Sequence, residues 1–329
     1  MGWRVTRRGQ VVVGLVVVAL VAVIAIVVAV NQGAGPFGDQ EGCTASVDGH
    51  AVALDTEQSE NAALIAGIAV RRGLPARAVS IALATAYQES DLRNVLHGDR
   101  DSLGLFQQRP SQGWGTAEQV QDPVYATNAF YDALVQVDGY REMPITEAAQ
   151  AVQRSGFPLA YAAHEDDARA LASALTGNSP DGQFTCTVDD APDEESDQLD
   201  RTGLTGRAAT VRDELEAVFG DQALGGFAPD GVDSGHMEGS AHYEGRAIDV
   251  FFRPINAPNR RRGWAMAYYL VAQADRLHVA TVIFDDMIWT ARRDEEGWRG
   301  YDPGDVRGKS PQTVKVLEHR DHVHVDVHD

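Results

Sequence analysis

The sequence predicts a multidomain chain with an N-terminal transmembrane helix, a mainly helical domain and an α+β domain that contains an antiparallel sheet. Three observations support this division: an uncharged apolar run near the start, alanine-rich helical segments in the first half, and runs rich in β-branched residues near the end. At 329 residues the chain also exceeds what one hydrophobic core usually serves.

Residues 11–30 form an unbroken apolar run, VVVGLVVVALVAVIAIVVAV. A helix of this length, at about 1.5 Å per residue, spans a hydrocarbon layer of about 30 Å. Residues 1–10 form a basic tail, so the positive-inside rule places them in the cytoplasm and the later domains outside. A cleaved signal peptide is the alternative, although no clear A-x-A site follows. Residues 31–42 are predicted to be a short tether.

An extracytoplasmic location permits a disulfide between Cys43 and Cys186, with two unrelated buried thiols as the alternative. The segment 43–186 between these cysteines has a mostly helical pattern. Its alanine-rich apolar stretches are 62–71, 76–90, 123–137 and 146–153. Residues 187–202 then contain seven acidic side chains, which predicts a flexible linker.

The third part, residues 203–329, mixes helical and strand-like patterns. Helices are predicted near 208–219 and 263–277, and strands at AIDVFF, VATVIFD and HVHVDV. This mixture predicts an α+β domain with a mainly antiparallel sheet. The net charge of the chain is −20, and such a surface repels phosphate backbones, which argues against nucleic-acid binding.

Two histidines near the C-terminus are spaced for a shared strand face. His322 and His324 lie two residues apart in HVHVDV, so both side chains leave the same side of a strand. Asp249 starts another apolar strand, and His242 precedes it in a bend that Gly245 permits. Two imidazoles and one carboxylate suit a zinc ion and leave a fourth position open for water, as in catalytic sites.

These residues carry a resemblance to a known family. The pattern S-x-H-x-x-G-x-A-x-D over 240–249, with the later H-x-H, resembles the LAS metallopeptidases, which include D-alanyl-D-alanine carboxypeptidases and murein endopeptidases. The resemblance implies one Zn²⁺ held by His242, Asp249 and His324, with His322 handling protons beside it. It also implies two further active-site residues and two substrate contacts: His319, Asp321, Ser240 and Arg246.

That resemblance has two departures. Asp321 stands where the carboxypeptidase branch has a catalytic glutamate, and the upstream arginine that holds a substrate carboxylate in that branch is missing from GGFAPDGVDSGHMEG. An internal cross-bridge is therefore favoured over a terminal D-alanine as the substrate.

The first domain contains a second candidate site. Glu89 lies at the end of a predicted helix in a stripe with Ala82, Thr85 and Ala86. A carboxyl beside small residues can face a cleft, and desolvation there raises its pKa, as a general acid at neutral pH requires. A surface glutamate near a helix end is the alternative.

The surrounding motif resembles the soluble lytic transglycosylases, which have a lysozyme-like fold. The matching residues are Glu89, Ser90, Ser102, Gly104, Leu105 and Gln107. The resemblance implies that Glu89 protonates the glycosidic oxygen and then acts as base while the sugar's 6-hydroxyl closes an anhydro ring. It also implies that Gln107 and the Gly104 turn line the sugar cleft. The family's later tyrosine and asparagine are not clearly present, and Ser155 and Tyr161 are candidate substitutes.

Together these features predict a membrane-anchored, bifunctional peptidoglycan hydrolase. One domain would cut glycan strands and the other would cut peptides with the help of zinc, both outside the cytoplasmic membrane and facing the cell wall. The alternatives are a protein with one active domain and a non-catalytic peptidoglycan-binding scaffold of a cell-envelope complex.

Overall fold

The computed structural model describes residues 41–179, 182–189 and 198–329. The predicted basic tail, the predicted transmembrane helix and the tether up to residue 40 lie outside the described residues, as does the middle of the acidic linker. Among the helices in the described ranges, none is both long and apolar enough to cross a bilayer. Glu41–Asp329 forms one compact unit, and the following description concerns that unit.

The first half of the unit combines helices with a small antiparallel sheet that the sequence pattern did not predict. Its strands, in the order β2-β1-β3, are β1 (Gly42–Val47), β2 (His50–Leu54) and β3 (Gln183–Thr187). Its helices are α1 (Thr56–Arg71), α2 (Ala76–Ser90), α3 (Ala117–Gln121), α4 (Pro123–Leu134), α5 (Ile145–Gln153) and α6 (Glu165–Leu175). Each of the predicted alanine-rich stretches lies mainly within one of these helices.

The sheet of the first half closes this part of the chain on itself. Cys43 on β1 lies directly opposite Cys186 on β3, and the two form a disulfide. The predicted disulfide is therefore confirmed. Because β3 follows α6, the bridge joins the beginning and the end of the helical segment.

The second half is built on a larger antiparallel sheet in the order β4-β5-β9-β6-β7-β8. Its strands are β4 (Leu224–Gly225), β5 (Ala247–Phe251), β6 (Val279–Phe284), β7 (Met287–Thr290), β8 (Arg299–Gly300) and β9 (His322–Val327). Its helices are α7 (Gly206–Phe219), α8 (Ala257–Ala272), α9 (Ala274–Leu277) and α10 (Pro311–Leu317). The chain is thus mixed α/β with antiparallel sheets.

The alternation along β9 separates a polar face of the sheet from an apolar one. Val323, Val325 and Val327 are buried, and β9 packs against α8. Because side chains alternate along a strand, His322 and His324 lie on the opposite face. The register pairs His324 with Asp249 on β5, so both motifs of the predicted metal site meet on this polar face.

Helix α1 connects the two halves by packing against both. It contacts α2 and α4 in the first half and α7 and α8 in the second. Most of its residues from Ser59 to Ala69 are buried, which fits its alanine-rich sequence, because a helix that is apolar all round has no solvent face to offer. Gly67 permits the closest approach, since a Cβ there would lie 2.8 Å from the Val218 Cγ1 atom.

Hydrogen bonds cross the same interface. Arg71 Nη1 donates to the carbonyl of Ala217 at 3.0 Å, and Gln273 Nε2 donates to the carbonyl of Glu60 at 3.0 Å. The two predicted domains therefore contact each other directly within one compact unit, in addition to being joined by the acidic linker.

Candidate metal centre and carboxyl site

The three predicted metal ligands come together where β5 pairs with β9. Asp249 and His324 are direct partners in the antiparallel pair β5–β9. His242 lies in the 3-10 turn Ala241–Glu244, just before β5, and is 2% exposed. Gly245 ends this turn with a φ of +71°, a conformation that favours glycine. The bend predicted at Gly245 therefore places His242 close to Asp249 on the strand that follows the turn.

The distances between the ligand atoms fit one small ion. His242 Nε2 lies 3.1 Å from His324 Nδ1 and 3.2 Å from Asp249 Oδ1, and His324 Nδ1 lies 3.3 Å from Asp249 Oδ1. Ligand atoms about 2.0–2.1 Å from a tetrahedral zinc lie about 3.3–3.4 Å apart. The spacing in this chain is close to that value on all three edges.

The outer nitrogens of both imidazoles are already engaged. His242 Nδ1 lies 2.8 Å from the carbonyl of Gly226, and a carbonyl can only accept, so the proton is on Nδ1. His324 Nε2 lies 3.2 Å from the Asp326 carboxylate, which also accepts. The inner nitrogens therefore present lone pairs to each other and to Asp249. Three converging acceptors require a cation between them, either a proton or a metal ion.

The pKa values of His324 and Asp249 show that this site favours a positive charge between its groups. Burial opposes protonation of His324, but its hydrogen bonds to Asp249 and Asp326 raise its pKa to about 9. Burial opposes ionisation of Asp249, but its interactions with His242, His324 and His322 hold its pKa far below the ordinary value. Asp249 is therefore a buried carboxylate that stays ionised, as a metal ligand must.

Gly226 is part of this centre although the sequence analysis did not single it out. Its φ is +82°, and a Cβ there would lie 2.2 Å from His242 Cε1 and 2.4 Å from His242 Nδ1. The side chain of any other residue would occupy the space of the imidazole. The sequence shows two adjacent glycines, Gly225 and Gly226. Their role at the metal centre becomes visible only when the position of the His242 ring is known.

His322 lies beside the candidate ligands and is held by Asp321. His322 Nδ1 is 2.8 Å from Asp321 Oδ1, and His322 Nε2 points towards Asp249, 3.8 Å from its Oδ1 atom. The other Asp321 oxygen accepts from Arg253 Nε at 2.7 Å. Burial favours the neutral form of Asp321, but its bonds to His322 and Arg253 lower its pKa. Asp321 therefore orients His322, and His322 is the group that faces the centre.

His319 packs against the same group. Its ring lies 4.5 Å from the His322 ring and 4.9 Å from the Tyr301 ring, and its backbone has a φ of +54°. Burial, together with the charges of His322 and His324, lowers the pKa of His319 to about 3. His319 is consequently neutral near pH 7.

These histidines line a cavity of about 750 Å³. The predicted substrate contacts Ser240 and Arg246 are both on its wall. Ser240 precedes the 3-10 turn that contains His242. Arg246 pairs with Glu244 and donates from Nη1 to the carbonyl of Val327 at 2.8 Å. The same cavity therefore contains the candidate metal ligands and, at its rim, the polar side chains of Ser240 and Arg246.

A fifth histidine, His236, lies at the same centre. His236, His242 and Asp249 each offer an atom, and these atoms lie within 4.8 Å of one another, so that the group could hold a metal ion. His236 lies outside both sequence motifs, so no pattern in the sequence marks it as a ligand.

The carboxyl site in the first half is built around Glu89 at the end of α2. The Tyr161 hydroxyl donates to Glu89 Oε1 at 2.7 Å, and the Gln153 amide also hydrogen bonds to the carboxylate. Burial raises the pKa of Glu89, and the bonds from Tyr161 and Gln153 counteract it. The Ser155 hydroxyl is in turn hydrogen bonded to Tyr161. Ser155 and Tyr161, the two candidate substitutes, are thus connected to the carboxyl.

A cavity of about 630 Å³ lies nearby, although neither Glu89 nor Tyr161 lines it. Gln153, the partner of Glu89, lies on its wall together with Trp114 and Arg154. The Tyr125 hydroxyl donates to the carbonyl of Trp114 at 3.2 Å and so supports the wall from behind. Among these residues, Gln153 connects the cavity to the Glu89 carboxyl.

The other motif residues of the first half make contacts within the chain. Ser90 donates to the carbonyl of Leu105 at 2.7 Å, and Gln107 Nε2 lies 3.3 Å from the carbonyls of His97 and Gly104. Ser102 is 7% exposed. Gly104 has a φ of +74°, and a Cβ there would lie 2.3 Å from the Val120 carbonyl oxygen. These contacts shape the loop after α2, and substrate binding by these residues stays a prediction.

Comparison with protein families finds one match. Residues 200–313 match the family model described as VldE, C-terminal domain. The match covers most of the second half of the compact unit and ends before the segment that contains His319, His322 and His324. A search of curated proteins finds no match.

Proposed function

We propose that the protein is a membrane-anchored peptidoglycan hydrolase with two catalytic centres, one for peptide bonds and one for glycan strands. The observation that carries this proposal is the meeting of His242, Asp249 and His324. Their inner atoms are spaced for a zinc ion, and the outer nitrogens of both imidazoles are engaged elsewhere, so that a metal ion could take the place of a proton between them.

In the peptide-cleaving centre, zinc would be held by His242, Asp249 and His324, the three residues that the sequence analysis assigned. When bound, it would polarise the scissile carbonyl and lower the pKa of a water molecule. His322 Nε2 would accept the proton of the attacking water and deliver it to the leaving amine. Asp321 would hold His322 Nδ1 through both steps, and Arg253 would keep Asp321 ionised.

In the glycan-cleaving centre, Glu89 would give its proton to the glycosidic oxygen as the bond from that oxygen to C1 breaks. It would then take the proton of the sugar's 6-hydroxyl as the new bond from O6 to C1 forms. The partial burial of Glu89 supports this role, because it raises the pKa of the carboxyl, which is the direction that a general acid requires. Tyr161 would hold Oε1, and Gln153 would connect the carboxyl to the nearby cavity.

The bond type in the products would test both centres. We expect the full chain to release anhydro-muropeptides and peptide-cleaved muropeptides from purified sacculi, as measured by mass spectrometry. Glu89→Gln should abolish the anhydro products alone, and His242→Ala should abolish the peptide cleavage alone. Glu142→Gln, which changes an exposed glutamate of the same half, is the matched control and should leave both product sets intact.

Two outcomes would contradict parts of the proposal. Products of one kind only would leave a protein with a single active centre. Binding to sacculi without any products, across a range of pH and with zinc added, would favour the scaffold alternative.

A further inference from the structure

The imidazole of His236 lies against the metal ligand His242. The two rings stack with their centroids 3.9 Å apart and their planes 28° from parallel. His236 also has a ligand atom within 4.8 Å of those of His242 and Asp249. This distance exceeds the roughly 3.3–3.4 Å between the ligand atoms of one zinc ion, so the His236 ring would have to shift to bind the same ion as His242 and Asp249. It is nevertheless a fourth protein group beside the position that a catalytic site leaves to water.

The backbone of His236 is held by Tyr243, the residue that follows His242. The N–H of His236 donates to the Tyr243 hydroxyl at 3.1 Å, and that hydroxyl donates to the carbonyl of His236 at 2.7 Å. One side chain thus satisfies both backbone groups. Because Tyr243 belongs to the same 3-10 turn as His242, the contact ties His236 to the ligand turn itself.

The segment around His236 is otherwise at the surface. Its neighbour Met237 is 57% exposed, and the flanking Gly235 and Gly239 are exposed with φ values of +98° and +76°. Such glycines allow backbone conformations that other residues resist. The partly buried ring of His236 is held by the stack on His242 and by the two backbone hydrogen bonds to Tyr243, here called the Tyr243 clamp.

We propose that, when a metal ion binds, the His236 ring shifts off its stack on His242 to become a fourth protein ligand that closes the centre, and that residues 235–239 move aside to admit the substrate. The inference rests on the proposed metal-dependent hydrolase function. Four protein ligands are typical of closed, structural sites, whereas three ligands and an open position are typical of catalytic ones. If the Tyr243 clamp were released, His236 could leave the metal, and the closed four-ligand site would become an open three-ligand site.

The number of imidazoles at the metal tests the inference directly. The full chain, loaded with Zn²⁺, would be measured by X-ray absorption spectroscopy. We expect three imidazole ligands in the wild type, from His236, His242 and His324, and two in His236→Ala. His97→Ala, the same change at an exposed histidine of the other half, should keep three. Tyr243→Phe, which retains the ring but not the clamp, should also lower the imidazole count.

A functional readout accompanies the count. If His236 blocks the fourth position, His236→Ala should bind zinc more weakly but cleave peptides several-fold faster at saturating zinc. Equal imidazole counts in the wild type and in His236→Ala would overturn the inference and leave the three-ligand hydrolase intact. A wild-type chain that binds no zinc, with His242→Ala indistinguishable from it, would overturn the proposed function and the inference together.

Discussion

At the scale of single residues, the metal centre depends on groups behind the ligands as much as on the ligands. Gly226 offers its carbonyl to His242, Asp326 faces the outer nitrogen of His324, and Asp321 holds His322. Such outer partners fix the tautomer and the orientation of each ring, and their loss typically weakens metal binding about 10–100-fold. The chemistry of the site is therefore distributed over more residues than the two motifs contain.

Gly226→Ala tests whether the approach of the backbone to His242 positions the ligand. The new Cβ would overlap the His242 ring, so we expect zinc affinity to fall at least about tenfold, as measured by competition with a chelator. Gly231→Ala is the matched control, because Gly231 also has a φ of +82° but no atom within 4 Å of a Cβ. Equal zinc affinity in the two variants would show that Gly226 has no special role.

The hydrogen bond from Tyr161 sets the pH range of Glu89. This bond stabilises the ionised carboxylate and lowers its pKa, so its removal in Tyr161→Phe should raise the pKa further. A general acid works while it is protonated, and its activity is lost as the pH rises through its pKa. We therefore expect the alkaline limb of the rate of anhydro-muropeptide release to move to higher pH in Tyr161→Phe. An unchanged limb, or a shift to lower pH, would contradict the assignment of Glu89 as the acid.

At the scale of elements, the close contact of α1 with α7 joins the two halves. A Cβ at Gly67 would lie 2.8 Å from Val218 Cγ1 and 3.1 Å from Phe219 Cζ. A larger residue in α1 would gain helix propensity, because glycine costs up to about 1 kcal/mol relative to alanine. Overpacking a buried contact costs about 1–3 kcal/mol, which is the larger effect.

Gly67→Leu should therefore lower the free energy of unfolding by about 1–3 kcal/mol, as measured by urea denaturation. Gly156→Leu serves as the control, because no atom lies within 4 Å of a Cβ at that exposed position. A Gly67→Leu protein as stable as the wild type would mean that α1 and α7 separate without cost.

At the scale of the whole compact unit, the two halves are joined by packing as well as by the chain. The disulfide Cys43–Cys186 lies entirely within the first half, so no covalent bond other than the linker joins the described halves. A flexible linker alone would leave the distance between the two domains variable. The contacts of α1 with α7 and α8 indicate that, within the compact unit, Glu89 and the metal centre keep a set spacing.

Cutting the linker tests this packing. With a protease site placed between residues 190 and 197, we expect the two fragments to co-elute in size-exclusion chromatography after complete cleavage. In the Gly67→Leu background, the weakened interface should let the fragments separate at lower concentrations. Fragments that separate at once in the wild-type background would show that the linker alone holds the halves together.

The sequence by itself determined features that depend on local periodicity and residue chemistry. The alternation in HVHVDV was sufficient to assign His322 and His324 to one strand face, and the two cysteines were sufficient to predict the disulfide. The predicted strands and most of the predicted helices are present with small shifts of their ends. Each of these features depends on neighbours that are close along the chain, or on a pair for which no competing partner exists.

Only the tertiary structure decided which distant groups complete the centre. The antiparallel pairing of β5 with β9 brings Asp249 to His324, and the fold of the segment before β5 brings Gly226 and His236 to His242. No periodic pattern in the sequence marks these groups, because Gly226 contributes only its carbonyl oxygen and its missing Cβ, and His236 lies outside both motifs. Their roles follow from contacts in space, because a ligand's lone pair is directed by whatever group lies behind it.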